Sequence, residues 1–185
     1  LYAAPKVDEP TGEGHDDWSR PAVLLPLLFP AYNARALWFL GTSPVQIDID
    51  AATPAWQPTG ARDASVASRQ RKYGTAVLLP TGQVCIVGGV NVVEPEDPVL
   101  QTEIFTPDID WATGTYGAGA GTWEVKESGI NARNYHSTAL LLPNGKVWVA
   151  GGDTNANSGD PDSDITVNGV VKKLGIKEIE LYEPD

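Results

Sequence analysis

Short apolar runs, each ended by glycine or by a proline-glycine turn, recur along the chain with two-residue rather than 3.6-residue spacing. Lys72-Tyr-Gly-Thr-Ala-Val-Leu-Leu-Pro-Thr-Gly-Gln-Val-Cys-Ile-Val-Gly-Gly89 comes back as Asn134-Tyr-His-Ser-Thr-Ala-Leu-Leu-Leu-Pro-Asn-Gly-Lys-Val-Trp-Val-Ala-Gly-Gly152. A shift of 63 lays Thr75 on Thr138, Pro80 on Pro143, Gly82 on Gly145 and Gly88-Gly89 on Gly151-Gly152. A second block, Glu103-Ile-Phe-Thr-Pro-Asp108, lies over Glu180-Leu-Tyr-Glu-Pro-Asp185 at a shift of 77, so the third copy has a loop 14 residues longer. No segment keeps a helical period; Lys172–Glu180 comes nearest and runs straight into a strand-like Ile179-Glu-Leu-Tyr182.

A degenerate first copy comes before these. Leu27-Leu-Phe-Pro30 opens it, Ala36–Gly41 supplies the next strand, and Val45–Asp50 and Pro54-Ala-Trp56 complete it. Each copy reads as two apolar strands around a turn, a loop of variable length and an alternating third strand. Pro80-Thr-Gly82 and Pro143-Asn-Gly145 are the turns, with glycine accepting positive φ. Thr122-Trp-Glu-Val125 adds a fourth strand to the second copy. Four strands per repeat of roughly 50 residues, with a double glycine closing strand two, predict an all-β fold of kelch-type propeller blades. The blades fall at about 20–70, 71–130 and 131–185. A ring needs about four to eight blades, so the remaining blades, or another copy of the chain, are expected to cover the open edges.

Composition agrees with short strands and turns. Of 185 residues, 42% are hydrophobic, with 19 Gly and 15 Pro scattered along the chain. A net charge of −11 argues against nucleic acid as a partner. The longest apolar run, Ala22–Phe29, is broken by Pro26 and falls far short of the roughly 20 residues of a membrane span. The single Cys85 excludes an internal disulfide. The absence of Met and the Leu-Tyr start lead us to expect a processed or excised piece of a longer protein.

The third copy carries a more specific signal. Ala132-Arg-Asn-Tyr-His-Ser-Thr-Ala-Leu-Leu-Leu-Pro-Asn-Gly-Lys-Val-Trp-Val-Ala-Gly-Gly152, closing on Ile179-Glu-Leu-Tyr-Glu-Pro184, resembles the last blade of the galactose oxidase and glyoxal oxidase family, secreted copper radical oxidases built on seven kelch blades. His15-Asp-Asp-Trp-Ser-Arg-Pro-Ala-Val-Leu-Leu-Pro-Leu-Leu28 is similar to the bacterial galactose oxidase-like branch. The resemblance covers most of residues 15–185 and is strongest over 132–152. It implies copper ligation by Tyr135 and His136, with Tyr135 also catalytic. It implies oxidation of a primary alcohol or aldehyde by copper and dioxygen, in an extracellular or cell-surface setting. The family's other ligands, a tyrosine bonded to a cysteine and a histidine from a following domain, are not matched here. Cys85 lies inside a strand and reads as an inter-blade packing residue, and Tyr73 belongs to the wrong blade for the cross-linked tyrosine. The alternative function is a non-catalytic extracellular propeller that binds carbohydrate or protein or serves structurally.

Neighbouring side chains on a strand point to opposite faces, so Tyr135 and His136 cannot share a metal from a regular strand. The third copy has one more residue than the second between its tyrosine and its turn glycine, which predicts a β-bulge beside the site. Arg133 reads either as a partner of this pair or as an ordinary surface residue.

Oxygen-bearing Asp153, Asn155, Asn157, Asp160, Asp162 and Asp164 surround Gly159 in the long loop, a pattern that suits calcium, although a solvated loop explains it as well. His15-Asp16-Asp17 sets one imidazole beside two carboxylates without a further ligand. Gly114–Gly121 lacks the Lys-Ser/Thr of a phosphate loop and reads as a flexible connection.

Overall fold

A computed structural model describes residues 20–91, 98–152, 165–167, 170–172, 176 and 178–184. Those residues form strands and turns, with no helix among them. The first sheet is β1 (Ala22–Leu24), β2 (Arg35–Trp38), β3 (Val45–Asp48) and β4 (Trp56–Pro58), in sequential order. The second is β5 (Thr75–Leu78), β6 (Val84–Val87), β7 (Gln101–Thr106) and, beyond the small hairpin of β8 (Ile109–Asp110) and β9 (Thr115–Tyr116), β10 (Thr122–Ser128). In the third, β11 (Ser137–Leu141) pairs with β12 (Val147–Gly151), which pairs with β15 (Glu180–Tyr182). A separate hairpin, β13 (Ile165–Val167) with β14 (Val170–Lys172), lies between β12 and β15 in the chain. All pairings are antiparallel.

Residue alternation explains how the sheets stack. β6 is buried throughout its length. Val84 and Ile86 meet Leu25, Leu37 and Phe39 of the first sheet region, with Phe105 beside them. Cys85 and Val87, pointing the other way, meet Ala139, Val147 and Val149 of the third. Each such side chain removed from water contributes about 1.5–3 kcal/mol. β1, β5 and β11 are the edge strands of their sheets, and β5 touches both of the others. They form the inner rim of a blade stack.

The two hairpin turns are built alike. Gly82 N–H donates to Leu79 O and Gly145 N–H to Leu142 O, both at 2.9 Å, and both glycines have φ of 83°. The first copy opens earlier than the pattern predicts, on Ala22–Leu24 rather than Leu27–Pro30. Pro26 and Pro30 lack ladder donors, which pushes 27–30 out of the sheet. Gly114–Gly121 is likewise no loose connection: Gly119 N–H donates to Asp108 Oδ2, Gly60 N–H to Ala120 O, and Gly121 packs against the Phe105 ring.

Candidate metal centre

Immediately before β11, Ser137 N–H donates to Asn134 O (3.2 Å) and closes a turn with Tyr135 and His136 at its centre. His136 takes a left-handed backbone, φ 59°. The second copy closes the matching turn with Gly74 N–H on Arg71 O (2.9 Å), and there Tyr73 is left-handed, φ 64°. The expected bulge is therefore absent. β11 pairs with β12 in unbroken register from Ser137↔Gly151 to Leu141↔Val147, and the additional residue is absorbed ahead of the ladder. In the second copy Arg71 both starts the turn and binds Glu103. In the third these tasks are divided, Arg133 binding Glu180 and Asn134 starting the turn.

The turn achieves what a strand cannot. The rings of Tyr135 and His136 lie side by side, centroids 3.8 Å apart and planes tilted by 35°. Tyr73 meets Tyr135 edge to face at 4.9 Å, and Lys72 Nζ stands 5.4 Å from the Tyr73 ring centre. Both tyrosines are half-buried and His136 is exposed. The group sits at the starting ends of β5 and β11, thus at one end of the inner rim. Asn134 beside it is buried, and neither Oδ1 nor Nδ2 of its side chain has a hydrogen-bond partner.

The Arg133 guanidinium bonds to other partners, and the residue does not lie on the surface. It is buried, with Nε on Glu180 Oε2 (3.0 Å), Nη1 on Gly151 O (2.7 Å) and Nη2 on Glu178 O (2.7 Å). Cys85 is fully buried in the cluster between the second and third sheets, and burial pushes its thiol up to about 12. A neutral, enclosed thiol is a packing group. Asp153, Asn155, Asn157, Asp160, Asp162 and Asp164, like His15-Asp16-Asp17, lie outside the described residues.

Galactose oxidase of Gibberella zeae is 31% identical over 138 residues, 68% of this chain and 18% of the relative. Aldehyde oxidase GLOX of Vitis pseudoreticulata is 33% identical over 81 residues, 44% of this chain and 15% of that one. The chain belongs to the galactose oxidase-like family. No family model matches this galactose oxidase-like chain. A solved fungal alcohol oxidase of the AA5 family, in complex with copper, shares the fold: TM-score 0.50, 23% identity, over 80% of this chain and 30% of that one. The chain thus spans under a fifth of the curated relatives it matches and under a third of the solved one.

The residue types of the turn fit a transition metal, since an imidazole nitrogen suits copper and a phenol ring lies against the imidazole. Tyr135 and His136 supply two donors; among the described residues, no three His, Cys, Asp or Glu side chains gather that could hold an ion. Tyr73 is the residue that sequence reasoning set aside. Its signal was the tyrosine opening the second copy as Tyr135 opens the third.

Proposed function

We propose that this chain carries the Tyr135–His136 part of a copper centre in an oxidase of primary alcohols or aldehydes that uses dioxygen. The observation that carries the reading is the left-handed turn that lays the two rings together at 3.8 Å on the inner rim. The family relationship supports it, and the copper in the solved alcohol oxidase supplies the choice of metal. Bound copper would supply one-electron chemistry with dioxygen. The chain's own contribution is to present an imidazole at an exposed position and to hold the Tyr135 phenol beside it, half-buried between His136 and Tyr73. The remaining donors come, in this proposal, from other blades and a C-terminal domain of the same protein or from another copy. A secreted setting belongs to the same proposal.

Copper loading of the purified full-length protein, with the blades and domain that supply the remaining donors, followed by metal analysis and a peroxide assay with primary alcohols and aldehydes, tests it. Retained copper and peroxide release, both lost in His136→Ala, are expected. A protein that keeps no copper and releases no peroxide overturns the oxidase reading.

A second reading, a surface for carbohydrate or protein, is favoured by one feature. Phe29, Tyr32 and Trp111 are 73%, 55% and 60% exposed, with Phe29 and Tyr32 in edge-to-face contact. Retention on a glycan array that disappears in Phe29→Ala and Trp111→Ala would support it.

A further inference from the structure

We propose that Tyr73 is a positioning residue for the Tyr135–His136 pair: its ring, delivered from the neighbouring blade, fixes the plane of Tyr135 against His136. The inference rests on the copper reading above and adds to it a residue outside the third copy. Three observations carry it.

First, Tyr73 and His136 occupy the same place in their turns, one residue before the N–H that closes each, and both are left-handed. A non-glycine side chain in that conformation is strained, and such strain persists where the side chain's direction is needed. Gly74 follows Tyr73 immediately, so glycine was available at the next position and the strained one still carries a ring.

Second, the contact is specific in its geometry. Tyr73 and Tyr135 meet at 4.9 Å with planes 68° apart, an arrangement that the electrostatics of two aromatic rings favours over a face-to-face sandwich. Tyr135 is then in contact with a ring on either side, Tyr73 and His136, so its plane is set by residues from two blades.

Third, Tyr73 is itself anchored. Lys72 is buried and its backbone pairs with Val90, while its Nζ stands 5.4 Å from the Tyr73 ring centre. A ring with a buried cation beside it as well as Tyr135 can orient its neighbour.

The test compares Tyr73→Phe with Tyr73→Gly in the same full-length protein, with its remaining donors. Phenylalanine keeps the ring and glycine removes it, while glycine also relieves the backbone and so keeps the turn foldable. Copper(II) affinity, measured by competition with a chelator, should stay within about 2-fold in Tyr73→Phe and weaken by about 2- to 10-fold in Tyr73→Gly. In the metal-free protein, the His136 imidazole and Tyr135 ring resonances should move in Tyr73→Gly and hold in Tyr73→Phe. Equal affinity and unmoved resonances in Tyr73→Gly overturn the proposal. If the wild type keeps no copper, the oxidase reading fails by itself, and the metal-free resonances alone decide the role of Tyr73.

Discussion

Arg133 reaches Glu180 across the third sheet as Arg71 reaches Glu103 across the second, at 3.0 and 2.8 Å. The parallel extends to the backbone: Arg71 Nη1 binds Gly88 O and Arg133 Nη1 binds Gly151 O, the first glycine of each double-glycine pair. Each arginine therefore ties the entry of an inner strand to the exit of the second strand and to the third.

Glu103 carries more of this load than Glu180. It accepts from Arg62 through Nε and Nη2 (2.8 and 2.7 Å) as well as from Arg71, and all three side chains are buried. Glu103→Ala leaves two guanidinium groups without their counter-charge, at a cost of about 3–5 kcal/mol. Glu103→Gln should be little better, because its amide N–H₂ points a donor at donors. Urea denaturation checks both; a loss under 1 kcal/mol for the alanine variant contradicts the argument.

Glu180 is the more exposed carboxylate, and it makes stability depend on pH. Burial alone would raise its carboxyl. The Ile130 and Asn131 N–H groups, with the hydrogen bond and charge of Arg133, outweigh that and hold it below the ordinary 4.5. The folded state thus binds fewer protons than the unfolded one in that range, so the stabilisation is complete above pH 4.5 and is lost as pH falls through the lowered value. Glu180→Gln should be less stable than wild type at pH 7, and the gap should close in acid. A constant gap from pH 7 to 3 rules this out.

The blade pattern was legible because its signals are local. A proline-glycine turn and the two-residue alternation of side chains lie within a few residues of the strands they predict, as at Leu79–Gln83 and in β6, whose alternate residues enter opposite clusters. Arg133 was illegible because its partner lies 47 residues away, beyond a long loop. Counting one additional residue between Tyr135 and Gly145 could not tell whether it sits in the ladder, as a bulge, or ahead of it, as a turn; the unbroken β11–β12 register decides that. The contact between Tyr73 and Tyr135 was illegible for a related reason. A family match assigns roles by position in the ring, whereas the contact at 4.9 Å arises from packing between adjacent blades.

Gly82 and Gly145 offer a matched pair. Both have φ of 83°, so alanine at either should cost about 1–2 kcal/mol in backbone strain. A Cβ on Gly145 meets nothing within 4 Å, whereas one on Gly82 would lie 2.5 Å from the Trp111 ring. Gly82→Ala should therefore be the more destabilising of the two in a thermal melt. Combining it with Trp111→Ala should remove most of the excess, leaving only the tight contact of the Cβ with Pro26 Cγ at 3.3 Å. Equal costs for the two single variants would show that Trp111 swings aside freely, as its 60% exposure would allow.

His136 sets the demand of the centre against that of the fold. Its φ of 59° disfavours any residue with a Cβ, and its imidazole, being exposed, has little burial to lose. His136→Ala keeps the strained Cβ and gives up the ring contact with Tyr135, a loss of about 0.5–1.5 kcal/mol. His136→Gly gives up the same contact but relieves the strain, partly offset by the greater freedom of glycine in the unfolded chain. The glycine variant should accordingly be more stable than the alanine variant by roughly 1 kcal/mol, and neither should bind copper as the wild type does. Denaturation of the two metal-free variants settles the order. If alanine proves the more stable, the turn is not left-handed at residue 136, and the side-by-side placement of Tyr135 and His136 loses its cause.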